Sequence, residues 1–190
     1  MIDQHFKNYG FFEGEIPNDL KQMLLEEAKT AEEKGREMNS NLGHKDIPTH
    51  RWVIDSNILL ENYIMLLGSK YHDQYPELVD VKLFTSNLPM VMNRAWFNFQ
   101  RKGQYVPYHT HDGLYSFSLW LKIPTKCRFE FIYTNIIGEK KEFTRTLTPD
   151  DEGKIMFFPA KLPHIAYPFN DSDDVRISVS GNISFNTHGK

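Results

Sequence analysis

From Met90 onward the sequence breaks into short runs rich in aromatic and β-branched residues, each closed by Gly, Pro or Asn-Asp punctuation, and few folds accept such a pattern. Candidate strands cover 90–100, 104–111, 114–123, 128–134, 141–147, 154–158, 164–168 and 174–185. Gly103, Gly113, Pro124, Gly138, the stretch 149–153, Pro159 and the stretch 170–173 mark the turns between them. Eight short strands, each burying a face, fit an antiparallel jelly roll. An aromatic share of 14% supplies bulky side chains for its core.

The preceding residues read as helical. Pro17-Asn18-Asp19 opens a segment to about Lys34 in which Leu20, Leu24, Ala28 and Ala31 recur at helical spacing. The stretch 39–48 reads as a loop. A second helix is expected from Ser56 to about Tyr71, with Leu59, Tyr63, Leu66 or Leu67, and Lys70 on one face. Both helices should pack outside a sheet. A chain of 190 residues suffices for one well-buried core, so 1–190 is expected to be a single domain: a largely helical flank over 1–88 and a β core over 89–190. The fold class is mainly β with flanking N-terminal helices.

Composition narrows the function classes. A net charge of −3 with no long basic run gives no electrostatic footprint for nucleic acid. The single cysteine, Cys127, cannot form an intramolecular disulfide and reads as a small buried hydrophobe. The opening Met-Ile-Asp-Gln-His lacks the basic and apolar blocks of a leader, and runs such as 64–67 fall far below the roughly 20 apolar residues that cross a bilayer. A cytoplasmic setting without membrane contact is the expectation.

The chemistry concentrates in two segments. In Gly103-Gln-Tyr-Val-Pro-Tyr-His109-Thr-His111-Asp112-Gly113, alternation along a strand sends His109 and His111 to one side, where both imidazoles can reach a single metal ion. About fifty residues later, Gly153-Lys-Ile-Met-Phe-Phe-Pro159-Ala-Lys-Leu-Pro163-His164 supplies a third imidazole. Three His ligands leave coordination positions open for water, substrate or oxygen. Asp112 would face away from His109 on a continuing strand and is expected to orient an imidazole rather than bind metal. A break in the strand at Asp112 would reopen that choice. His5, His44, His50, His72 and His188 have no partner at useful spacing.

A third segment, Asp174-Val-Arg176-Ile-Ser178-Val-Ser180, alternates Arg176, Ser178 and Ser180 on one face with Val175, Ile177 and Val179 on the other. The apolar face should pack against the outer layer. The polar face then points into the barrel, where a buried guanidinium requires an anionic partner and matches a carboxylate in bidentate fashion.

The spacing of Gly103, His109, His111, Gly153, Pro159 and His164 resembles the two motifs of the cupin superfamily, which implies a double-stranded β-helix. The glutamate that many cupins carry just after His-x-His is absent. The stretch from Arg94 to Phe185 further resembles 2-oxoglutarate- and Fe(II)-dependent oxygenases found in bacteria and bacteriophages. The similarity lies in Trp96-Phe97-Asn98, the Gly before His-x-His, the Ser-rich strand 116–124, the Phe-Pro turn before His164 and Arg176-Ile-Ser178. It implies an enzyme, a hydroxylase, that binds Fe(II), 2-oxoglutarate and O2 and couples decarboxylation of 2-oxoglutarate to succinate with oxidation of a substrate. Arg176, twelve residues after His164, would hold the far carboxylate of 2-oxoglutarate, with Ser178 beside it. Cupin-like folds also often pair as homodimers through sheet edges. Most such oxygenases place a carboxylate where this chain has His111.

Other readings stand beside this one at the level of sequence. A cupin isomerase, a dioxygenase without cosubstrate or a zinc site would use the same three histidines, and a non-catalytic jelly-roll module would use none. Arg176 separates them. Tyr115 and Asn98 are further candidates to touch a cosubstrate, whereas Trp96, Phe97, Phe99, Tyr105, Tyr108, Phe117 and Trp120 read first as core. No motif identifies the primary substrate.

Overall fold

The computed structural model of the chain describes residues 10–34, 50–55, 57–75 and 90–186. The expected loop 39–48 and the changeover near Pro89 lie outside them, as do His5, His44 and His188. In chain order the described elements are β1 (Phe12–Glu15), α1 (Asn18–Lys34), β2 (His50–Ile54), α2 (Ile58–Gln74), β3 (Met90–Gln100), β4 (Val106–His109), β5 (Tyr115–Lys122), β6 (Cys127–Thr134), β7 (Lys140–Leu147), β8 (Lys154–Pro159), β9 (His164–Ala166) and β10 (Arg176–Phe185). All eight expected strands occur, each within two residues at either end.

The flank carries two short strands besides its two helices. β1 and β2 both fall within 1–88 and join the edges of one antiparallel sheet of order β1-β8-β5-β10-β3-β2. Each is only four or five residues long, too short for alternation to declare itself, and each is fixed by a distant partner: Phe12 opposite Phe157, Trp52 opposite Phe97. A second antiparallel sheet has the order β4-β9-β6-β7. The two sheets form the jelly roll.

Alternation along the large sheet sorts its residues between two layers. One face meets the helices. There Phe97, Phe117, Leu119, Phe157, Val179 and Ile183 are buried with Leu20, Leu24, Ala28 and Ala31 of α1, and with Leu60, Ile64, Leu67 and Tyr71 of α2. Each buried Leu, Ile, Val or Phe among them contributes about 1.5–3 kcal/mol by leaving water. α1 buries the expected stripe. The buried face of α2 differs by one position: Leu59 and Leu66 are 49% and 51% exposed while Leu60 and Leu67 are buried. The run from Ile58 to Leu67 is apolar on nearly every side, so the sheet selects the face and periodicity does not. Asn57 caps the helix by accepting the Leu60 amide at 3.0 Å.

The opposite face of the large sheet looks across at the small one. Trp120, Met156 and Phe158 meet Cys127, Phe129 and Phe131 there, with Trp120–Phe129 and Phe131–Phe158 ring centroids 5.4 and 4.9 Å apart in edge-on contact. Gly181, in the middle of β10, leaves no room for a side chain. A Cβ built on it would stand 2.6 Å from the Phe117 ring and 2.8 Å from the Arg94 carbonyl. Gly181→Ala is therefore expected to destabilise the fold by about 1–3 kcal/mol, a melting point lower by roughly 2–12 °C for a chain of this size, read by thermal unfolding. An unchanged melting point would show that β10 can shift without penalty.

Candidate active site

Two strands of the small sheet bring the first pair of histidines together. His109 ends β4, His164 begins β9, and the antiparallel register sets their Cα atoms opposite one another. His164 is 2% exposed, with Phe129, Phe131 and Phe158 around its ring. Its Nδ1 lies 2.9 Å from the Leu162 carbonyl, and Nδ1 of His109 lies 2.7 Å from the Pro107 carbonyl. A carbonyl can only accept, so each Nδ1 carries the proton and each Nε2 presents a lone pair.

The third histidine arrives without a strand. β4 stops at His109, so the expected strand does not run through His111. Instead the His111 amide donates to the Ala160 carbonyl at 2.8 Å, which fastens this loop to the turn before His164. Nε2 of His111 then lies 3.2 Å from Nε2 of His164, and one nitrogen from each of the three rings falls within a 4.8 Å cluster. Nitrogens bound to one metal at about 2.0–2.1 Å stand roughly 3 Å apart. Burial, then the neighbouring His109 and His111, hold His164 well below the ordinary histidine range, so it is neutral and able to donate its lone pair.

The chain turns away just beyond. Gly113 takes φ +97°, in the left-handed region that a Cβ disfavours, and the Asp112 side chain is 99% exposed with an oxygen 3.4 Å from Nζ of Lys161. Asp112 is not in the cluster and reaches no imidazole. The turn also flips the parity of the next strand: Tyr115 packs against the helices, its hydroxyl 2.6 Å from Nε2 of His72, away from the histidine cluster.

From the cluster a chamber runs between the sheets to Arg176. Asn98, Trp120, Ser178 and Ser180 line it from the large sheet, and Phe129 and Ala166 from the small one. Nδ2 of Asn98 bonds the hydroxyls of Ser178 and Ser180 at 3.3 and 3.1 Å, and its Oδ1 accepts from the Trp96 indole at 3.0 Å. Arg176 is 2% exposed. Its guanidinium donates to Gln100 Oε1 and, at 3.0 Å, to the Tyr167 carbonyl, and it lies 5.6 Å from the centre of the Phe169 ring. Among the described residues no carboxylate is within ion-pair distance of it. Asp173 and Asp174 instead meet Lys102 and Lys122 at the surface. Burial pulls the Arg176 guanidinium below its ordinary value, with the Cys127 thiol acting in the opposite direction.

The structure thus brings together His109, His111, His164, Arg176, Ser178 and Asn98, and leaves Tyr115 and Asp112 outside. Gln100 and Arg51 are chamber residues that the sequence reading missed. Gln100 ends the strand that carries Trp96 and Asn98 and shares their parity, a signal present in the sequence. Arg51 has no such signal, because only the pairing of β2 with β3 sets it opposite Asn98.

Inside the jelly roll, convergent imidazoles at one end of an inner chamber and a buried arginine at the other suit an oxygenase that uses a divalent metal and an anionic cosubstrate such as 2-oxoglutarate. Residues 94–182, just under half of the chain, match the family model described as "Putative 2OG-Fe(II) oxygenase", and the match supports an Fe(II)- and 2-oxoglutarate-dependent dioxygenase. Fe(II), 2-oxoglutarate and O2 are the cofactor and cosubstrates of this class. The fold is similar to that of a Pseudomonas putida prolyl-4-hydroxylase, with a TM-score of 0.62 and 15% identity over 94% of each chain. It is also similar to the viral collagen prolyl hydroxylase of Paramecium Bursaria Chlorella virus-1, crystallised with 2OG (TM-score 0.54, 14% identity, 93% of this chain and 96% of that one). A third similar structure is the epimerase SnoN in complex with Fe3+, alpha ketoglutarate and nogalamycin RO (TM-score 0.57, 13% identity, 94% and 80%). No curated protein matches the chain. No helix among the described residues is long and apolar enough to cross a membrane.

Proposed function

We propose that His109, His111 and His164 hold the iron, that Arg176 with Ser178 holds the far carboxylate of 2-oxoglutarate, and that the enzyme hydroxylates its substrate. The burial of Arg176 without a carboxylate partner carries this reading. A guanidinium so placed is costly unless an anion meets it, and the chamber joins it to three lone pairs suited to one divalent ion. Bound iron and 2-oxoglutarate would supply the oxidising chemistry through decarboxylation to succinate.

The protein's own groups supply position. The Leu162 and Pro107 carbonyls fix two imidazoles in the metal-binding tautomer, and the Phe residues around His164 exclude water. Phe129, Phe169 and Trp120 offer an apolar wall to the methylene carbons of the cosubstrate. The space now open among these groups is about 30 Å³, room for one or two water molecules. A dicarboxylate needs more room than this, so side chains of the chamber would move on its entry, and Gln100, bonded to the Arg176 guanidinium, stands in its way. Gln100→Ala is expected to tighten 2-oxoglutarate binding several-fold, by about 1 kcal/mol, the net worth of the bond it removes.

The hydroxylase assignment draws on the fold's likeness to the two prolyl hydroxylases. The reading further takes 1–190 as one domain in the cytoplasm, with exposed sheet edges available for pairing of two copies. An anaerobic titration of the protein with Fe(II) and then 2-oxoglutarate tests the central claim. A visible metal-to-ligand charge-transfer band is expected, and succinate should form only when Fe(II) and oxygen are both present. A 2-oxoglutarate titration that leaves the Fe(II) spectrum unchanged would overturn it.

A further inference from the structure

A second cavity opens directly outside the histidine cluster. It measures about 340 Å³, is lined by Arg94, Asn93 and Asn182, and shares Arg51, Trp96, His109 and His111 with the inner chamber. Strand register explains why two arginines meet there. Arg51 on β2 stands opposite Asn98 and Arg94 on β3 stands opposite Asn182, so both belong to the inward parity of the large sheet, on either side of Trp96.

Among the described residues neither arginine meets a carboxylate. Nε of Arg51 is shielded from solvent and has no hydrogen-bond partner, and burial pulls the guanidinium below its ordinary value with no opposing charge acting on it. Arg94 is exposed at the cavity and makes no ion pair among the described residues. The carboxylate that lines this cavity, Asp112, lies beside Lys161 at its rim. The metal ligands add to the imbalance. Three neutral imidazoles leave the full charge of a divalent ion in place, where a carboxylate ligand would cancel part of it. With 2-oxoglutarate bound as a dianion against that ion and Arg176, the site still holds an excess of positive charge, and Arg51 and Arg94 raise it further.

We infer that this outer cavity receives the primary substrate, and that the substrate carries an anionic group, a carboxylate or a phosphate monoester, held by Arg51 and Arg94. The part to be oxidised then faces His109 and His111. A guanidinium binds either oxyanion through paired N–H donors, and the amides of Asn93 and Asn182 add polar contacts at the same wall. The inference rests on the iron and 2-oxoglutarate reading for its catalytic meaning, though not for its anion chemistry.

The test is calorimetric titration of the anaerobic protein loaded with Fe(II) and 2-oxoglutarate, using benzoate, phenyl phosphate and uncharged benzamide as probes. At least one of the two anions should bind, which also separates carboxylate from phosphate, and benzamide should not. Arg51→Met and Arg94→Met should each weaken the bound anion by about tenfold, and Arg51→Lys should recover part of the loss. Arg94 is exposed, so its variant keeps the test decisive should Arg51→Met fail to fold. Binding of benzamide as tight as that of the anions, no binding of either anion, or an anion affinity unmoved by these substitutions would overturn the inference. So would loss of the 2-oxoglutarate band in Arg51→Met, which would assign Arg51 to the cosubstrate. Should the wild-type protein show no such band, the iron reading fails, and arginine-dependent anion binding to the metal-free protein would still uphold the anion site.

Discussion

Arg176→Met is expected to weaken 2-oxoglutarate binding severely while leaving metal binding intact. Methionine fills much of the same volume without a charge, and exchanging a buried charged group for an apolar one of similar size is often neutral for folding. The substitution frees the Tyr167 carbonyl and Gln100 Oε1 from their donor, a cost of about 1–3 kcal/mol each where they stay buried. Gln100 keeps a second anchor through its Nε2, 2.5 Å from the Gln104 carbonyl. Removing one side of a desolvated charge pair costs about 2–5 kcal/mol in binding, roughly 30-fold to several-thousand-fold in affinity. The measurement is the charge-transfer titration run beside calorimetric metal binding. A variant that retained the cosubstrate band at wild-type affinity would remove Arg176 from the site.

His111→Ala and Asp112→Ala should behave as opposites although the residues are adjacent. His111 gives one of three nitrogens in a 4.8 Å cluster, so its loss leaves two ligands and should lower Fe(II) affinity by at least about 100-fold, more than the roughly 10- to 100-fold typical of losing an outer-shell partner. Asp112 faces solvent at 99% exposure, and its contact with Lys161 is a surface pair whose removal changes stability by about 0–1 kcal/mol. Metal affinity should hold in Asp112→Ala. The reverse pattern would mean that the loop rearranges to bring the carboxylate inward when metal binds.

The core is legible in the sequence because its strands are long enough, or punctuated sharply enough, to show their period. β3 from Ala95 on and β10 alternate, and that alternation already sets Arg176, Ser178 and Asn98 on the face opposite Phe97 and Val179, whereas β8 is apolar throughout and is marked by its flanking turn residues. His109 and His164 are legible as a pair from motif spacing, and register sets them opposite each other. Where local pattern misleads, the deciding contact is distant in sequence. β2 becomes a strand by lying along β3, so neither it nor Arg51 can be placed by five residues of local pattern. The parity of Tyr115 is lost at Gly113, a turn that breaks the count of alternate faces. His111 joins the cluster by a single backbone bond to Ala160 rather than by the continuing strand that alternation predicts.

The contact between Gln100 and Arg176 has a consequence for how this enzyme meets its cosubstrate. The primary amide of Gln100 presents an oxygen to the guanidinium much as one arm of a carboxylate would. Because it is tethered to β3, its effective concentration at Arg176 is set by the strand and not by the cell. On the proposed assignment of Arg176, free 2-oxoglutarate would compete with this built-in rival, and its apparent affinity would be its intrinsic affinity reduced by the fraction of molecules in which the amide has let go. The strand that supplies the rival also carries Trp96 and Arg94 to the outer cavity, so one β-strand furnishes walls to both compartments.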